Sequence, residues 1–220
     1  MKKQFLTLLI GGMLAAAPLS AATYDDLISG AKSGDTDEVR QLVGQGASIN
    51  STDIEGNTLL MLAARDGHLQ TASFLVKNRA RLNARNAAGD TALRLAALRG
   101  HLPVVKLLVD AGADADSTGW TALAYAIFGG HTDIARYLIA QGSDVNAVSE
   151  NGMTPLMIAA RSGQLDIIRD LLARQADPTR TMDTGETAVD IALKAKNTDI
   201  ADLLRQHGGR SEKSVTIQMK

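Results

Sequence analysis

A pattern of 13 residues recurs along this chain and fixes most of what it can fold into. "GNTLLMLAARDGH" (56–68) returns as "GDTALRLAALRGH" (89–101), "GWTALAYAIFGGH" (119–131), "GMTPLMIAARSGQ" (152–164) and, more loosely, "GETAVDIALKAKN" (185–197). Between the copies run "LVKNRARLN", "LLVDAGADAD", "LIAQGSDVN" and "LLARQADPT". The glycines at Gly67, Gly100, Gly130 and Gly163 set spacings of 33, 30 and 33 residues. A period of this size is the signature of a solenoid, in which each unit covers its apolar face only by stacking on the next.

The residue types explain the unit. Thr58, Thr91, Thr121, Thr154 and Thr187 stand directly before an apolar run, where a helix needs an N-cap. Ala63, Ala64, Ala96, Ala97, Ala159 and Ala160 are small enough for neighbouring first helices to pack closely. Gly67, Gly100, Gly130 and Gly163 suit the positive φ that ends a helix. A second helix carries an apolar stripe such as Val104, Val105, Leu107, Leu108 and Val109. Gly46, Gly112 and Gly142 end it, and Asn50, Asn83 and Asn146 begin the following turn.

Carried by "TPL" at 154–156 and its variants, the Ala-Ala pairs, the Gly-His turns and "GADAD"/"GSDVN", the chain resembles the ankyrin repeat family over nearly all its length. The resemblance implies an all-α ankyrin repeat solenoid of stacked helix-turn-helix units with projecting β-turn fingers. It divides the chain into a capping unit at 24–52 and internal units at 53–85, 86–115 (three residues short), 116–148 and 149–181. A C-terminal cap at 182–208 and a polar, disordered tail at 209–220 complete it. Asp25, Asp26, Lys32, Asp35, Asp37, Glu38 and Arg40 give the first cap a polar face, and Arg205 does so at the far end. One departure stands out. The histidine that follows "TPL" in the family is replaced here by Met61, Arg94, Ala124, Met157 and Asp190, so its network of hydrogen bonds is not expected.

The first residues carry an address. Lys2 and Lys3 precede the apolar run Phe5–Ala17, and Pro18 leads to small residues, with Ser20 and Ala22 placed for cleavage after Ala22. Residues 1–22 are therefore expected to be a signal peptide and the mature chain a periplasmic monomer, with no membrane association after cleavage. An uncleaved anchor is the alternative. A net charge of −1 argues against a nucleic-acid partner, and the lack of cysteine excludes disulfides, thiolate nucleophiles and cysteine zinc sites.

Nothing in the sequence assembles chemistry. His68, His101 and His131 recur at one register, and equivalent positions in stacked helices lie about 8–10 Å apart, too far for shared metal ligation at about 2 Å. Asp114 and Asp116 fit a turn better than a calcium loop, and no triad, phosphate loop or HExxH is present. No enzyme and no cofactor are expected.

The resemblance implies a protein partner on the concave face, made of finger tips and exposed first-helix positions. The fingers carry Glu55, Asp90, Glu150, Asp183 and Glu186, and the helices carry Arg65, Arg99, Arg161 and Lys194, either for a partner or for each other. Between them Leu98, Trp120, Phe128 and Met153 form an apolar centre suited to an aromatic hot spot. The expected binding residues are thus Trp120, Phe128, Leu98, Met153, Arg65, Arg99 and Arg161. Tyr125 is left out, because it fills the slot of Leu62, Leu95, Ile158 and Ile191. The shortened finger (Gly112 to Gly119, against Gly142 to Gly152) should leave a notch with Trp120 at its base, filled by a partner's side chain or by the indole itself. An accessory or an inhibitor and immunity role are both open. The alternatives in other classes are a small-molecule or haem carrier using Met61, Met153, Met157 and the histidines, and a spacer with no specific partner.

Overall fold

Five threonines start the first helices as the sequence requires. Thr58, Thr91, Thr121, Thr154 and Thr187 are all buried, and each Oγ1 accepts the N–H three residues on at 3.2–3.3 Å. The hydroxyl thereby satisfies a donor that the helix start leaves without an intrahelical partner.

The computed structural model describes residues 21–116 and 119–211. Their helices are α1 (Ala21–Ser33), α2 (Thr36–Gly44), α3 (Leu59–Arg65), α4 (Leu69–Lys77), α5 (Ala92–Arg99) and α6 (Leu102–Asp110), followed by α7 (Ala122–Phe128), α8 (Thr132–Ala140), α9 (Pro155–Ser162), α10 (Leu165–Ala173), α11 (Ala188–Lys194) and α12 (Thr198–Gln206). They form six antiparallel pairs. The first members, α1, α3, α5, α7, α9 and α11, stack into an inner row, and α2, α4, α6, α8 and α10 form an outer row behind it. No strand is present among the described residues, only isolated bridges at Thr52–Thr58 and Thr181–Thr187. The architecture is an all-α repeat solenoid. The expected signal peptide lies, apart from Ala21 and Ala22, outside the described residues.

The core runs continuously from Leu27 to Leu204. Ala63, Ala64, Ala96, Ala97, Ala159 and Ala160 are fully buried between inner helices, where any larger side chain would force the stack apart.

Two hydrogen-bond ladders join the units. At the start of the second helix of every unit after the first, a side-chain N–H reaches back to the end of the first helix of the preceding unit. His68 Nε2 meets the Lys32 carbonyl at 2.8 Å, His101 that of Arg65 at 3.0 Å and His131 that of Leu98 at 2.9 Å. Gln164 and Asn197 do the same to Ile127 and Ala160 at 2.7 and 2.9 Å. Because a carbonyl only accepts, each ring carries its proton on Nε2. The recurring histidines are thus inter-unit ties. In the second ladder Asn50, Asn83, Asp116 and Asn146 accept the N–H of Arg81, Asp114, Asp144 and Asp177 at 2.8–3.1 Å. Asp116 therefore takes the place of an asparagine, and burial raises its pKa.

The position of the lost family histidine is filled in more than one way. The Sδ atoms of Met61 and Met157 accept the Thr58 and Thr154 N–H at 3.4 and 3.5 Å, and Asp190 accepts that of Thr187 at 3.0 Å. Arg94 turns instead to the Gly89 carbonyl at 3.0 Å.

The tail departs from expectation at its start. Gly209 is buried with its N–H on the Leu204 carbonyl, Arg210 accepts from Thr187 Oγ1 at 2.7 Å, and Ser211 bonds Asp190. Those residues close the last unit's N-cap instead of leaving it to water. The remainder of the expected tail lies outside the described residues.

Candidate protein-binding face

The fingers pair at both ends of the stack. Four β-turns project, at Asp53–Asn57, Asn86–Asp90, Ser149–Met153 and Met182–Glu186, each closed by two backbone hydrogen bonds of 2.8–3.1 Å. The first two are tied by Ala87 N–H to the Glu55 carbonyl at 3.0 Å and by Asn86 Nδ2 to Asn57 Oδ1 at 2.8 Å. The last two are tied by Asp183 N–H to the Asn151 carbonyl at 3.2 Å. Among the described residues no such bond joins the second finger to the third. Between them lies a cleft of about 450 Å³ lined by Arg85, Asp90, Arg94, Trp120, Tyr125 and Glu150, among others.

Trp120 holds the base of this cleft. Its register is that of Asn57, Asp90, Met153 and Glu186, the last finger residue before the capping threonine. The indole is half-buried and sits edge-on to Phe128, with ring centroids 5.4 Å apart and an 83° interplanar angle. On its other side Tyr125 lies 5.5 Å away at 52°. Phe128, at the end of α7, keeps 51% of its surface in solvent. The indole is therefore folded onto its own helix, while its neighbour Phe128 stays open.

Two expectations need correction. Met153 is only 8% exposed and belongs to the core. Tyr125 does line the cleft: its hydroxyl donates to Asp90 Oδ1 at 2.8 Å, a bond the aliphatic residues at the same register cannot make. Burial, then the Asp90 hydrogen bond, push its pKa up to about 12. The folded state holds this proton more tightly than the unfolded chain, so its stabilising effect is complete below pH ~10 and is lost as pH rises toward 12. Tyr137 is shifted upward as well, so in a Tyr137→Phe background one tyrosine should ionise late in absorbance titrations near 295 nm, and Asp90→Asn should bring it down. A late tyrosine unmoved by that substitution would exclude the Asp90 contact.

The helical register that holds Phe128 reads Lys32, Arg65, Leu98, Phe128, Arg161 and Lys194 along the stack. Leu98 is half-buried, and its carbonyl is held by His131. Arg65 forks onto both oxygens of Asp66 at 3.0 and 2.9 Å, which raises its own pKa and lowers that of Asp66. Lys194 bonds Glu186, an instance of the expected finger-to-helix pairing. Arg99, one residue past Leu98, and Arg161 are exposed and form no ion pair among the described residues. Sequence reasoning passed over Arg94, buried to 5% beneath the cleft, where loss of water lowers its pKa. An arginine at a register otherwise filled by methionine, alanine or aspartate was the available signal.

The residues of the haem reading are committed elsewhere. Met61 and Met157 are 1% exposed with their sulfurs on threonine N–H groups, Met153 is in the core, and His68, His101 and His131 each use Nε2 on a carbonyl. Ligating iron would dismantle the caps and ties that hold the stack. No described helix is long and apolar enough to cross a membrane.

Stacked helix pairs, buried threonine caps and projecting β-turns define a repeat solenoid whose working surface is its ridge of fingers and inner helices. A family model described as ankyrin repeats (3 copies) matches residues 27–118, 111–182 and 141–216, and the chain belongs to the ankyrin repeat family. A similar solved chain comes from a complex described as the Bd0816 predatory endopeptidase of Bdellovibrio bacteriovorus with immunity protein Bd3460. It is 31% identical with a TM-score of 0.74, over 82% of this chain and 97% of that one. Comparison with curated proteins gives no match. Ankyrin arrays are typically non-catalytic scaffolds for protein–protein interaction, and a protein partner accords with both similarities.

Proposed function

We propose that this chain is a periplasmic, monomeric and non-catalytic scaffold that binds one protein partner across its central fingers and inner helices, in an inhibitor or immunity role. The observation that carries the binding site is the cleft between the second and third projecting turns, floored by Trp120 beside an exposed Phe128. Binding hot spots favour such an aromatic anchor near the middle of a face, ringed by polar groups. The immunity role rests on the likeness to a chain from an endopeptidase–immunity complex, extending over 97% of that chain.

A photo-crosslinking residue at exposed Ala88, on the lip of the cleft, should trap the partner in intact periplasm, whereas one at exposed Lys106 on α6 should not. Trp120→Ala/Phe128→Ala, with its helical circular dichroism preserved, should weaken capture at least about tenfold. Equal trapping from both positions, or undiminished capture by the folded double variant, would sink the site.

A further inference from the structure

The cations at the ends of the inner helices divide into two kinds. At the ends of the stack they are neutralised within the chain: Lys32 lies 3.9 Å from Asp53, Arg65 forks onto Asp66, and Lys194 bonds Glu186. At the centre they are not. Arg99 and Arg161 are exposed without an ion pair among the described residues, although Glu150 stands exposed on the nearest finger. Arg99 contributes to holding down the pKa of Asp66, whose two oxygens Arg65 already occupies. These two unneutralised cations lie on the units to either side of the one that carries Phe128.

We infer that the partner presents an apolar side chain flanked on both sides by carboxylates, seated on Phe128 with one acid on Arg99 and the other on Arg161. The inference deepens the proposed function and rests on that reading of the concave face. Arg99, Phe128 and Arg161 belong to three successive units, so each step along the face is about 10 Å. An extended segment covers this in about three residues at ~3.3 Å each. The recognised pattern is therefore an acid, an apolar residue about three positions on, and a second acid about three beyond that. A guanidinium suits this task because its planar fork takes a carboxylate through two hydrogen bonds. Cations already paired at both ends of the stack confine the acidic segment to the centre, since an acid placed there would first have to displace Asp53, Asp66 or Glu186.

The test is selection of displayed peptides, each long enough (about 12 residues at ~3.3 Å apiece) to cross three units, against the full chain. Binders should carry acid, apolar and acid at the stated spacing. Their affinity should fall about tenfold or more in Arg99→Glu/Arg161→Glu and weaken with added salt, yet stay within about twofold in Lys32→Ala/Lys194→Ala. Binders that lose affinity in Trp120→Ala/Phe128→Ala but ignore the central arginine pair overturn the acidic specificity alone. Binders indifferent to the aromatic pair overturn the concave-face reading itself. Selected sequences that carry basic residues at the flanking positions overturn the inference outright.

Discussion

Gly100→Ala is expected to lower the unfolding free energy by about 2–3 kcal/mol, far more than a surface glycine would. Two costs meet there. The residue sits at φ +83°, a left-handed conformation that costs a residue with Cβ about 1–2 kcal/mol. A Cβ would also stand 2.5 Å from His131 Cε1 and 2.7 Å from Nδ1, so the ring must leave its bond to the Leu98 carbonyl. Gly130 supplies the control, with φ +76° and open space where its Cβ would go. Gly130→Ala should therefore cost only the backbone part, about 1 kcal/mol. In urea unfolding, His131→Ala should be clearly destabilising alone and nearly silent once Gly100 is alanine, because the substitution has already displaced the ring. Additive effects of Gly100→Ala and His131→Ala, or equal costs at Gly100 and Gly130, would remove the ring from the explanation. The consequence reaches the binding face: this tie fixes the end of α5, with Leu98 and Arg99, against α7 with Phe128.

The stacking logic was legible because it depends on local residue types repeated at a fixed interval. Capping threonines, paired alanines and helix-ending glycines each satisfy a rule that acts within a few residues, so periodicity alone placed them. What the histidines bond to was not legible, since their partners lie 33–36 residues back and are carbonyls, which carry no sequence signature. Yet histidine, glutamine and asparagine at one register share only a side-chain N–H, and that common donor was a usable clue. Tyr125 failed for a related reason. Its register is apolar in the neighbouring units, so burial was read correctly, while the phenol's need for an acceptor pointed to Asp90, 35 residues earlier.

The candidate site was legible as a place and less so as a set of side chains. The three-residue deletion pointed to the cleft, which opens between the turns on either side of the shortened unit. Which arginines are neutralised could not be read from composition. Arg65 is quenched by the adjacent Asp66, whereas Arg161 is followed by Ser162 and Arg99 by Gly100. A one-residue difference after each cation thus separates structural charge from charge available to a partner.

Leu123→Ala carries the other large effect, an expected loss of about 3–4 kcal/mol. Leu123 is fully buried in α7, the helix that bears Tyr125 and Phe128 and packs between α5 and α9. Leu204 in α12 is equally buried, so both truncations remove similar packing, but they fall at the middle and the end of the stack. A solenoid is stabilised by unit and nearest-neighbour terms, so damage at an end frays one unit while damage at the centre divides the array. Leu204→Ala should accordingly leave one main urea transition with a slightly reduced slope. Leu123→Ala should uncouple the two sides, giving separate or broadened transitions. Binding discriminates further, because the proposed face spans α5, α7 and α9 and needs the central unit intact. Partner affinity should collapse for Leu123→Ala under conditions where Leu204→Ala binds as the unaltered chain does. If the terminal substitution weakens binding as much as the central one, the face must extend to the last unit, and the central assignment of Trp120, Phe128, Arg99 and Arg161 fails with it.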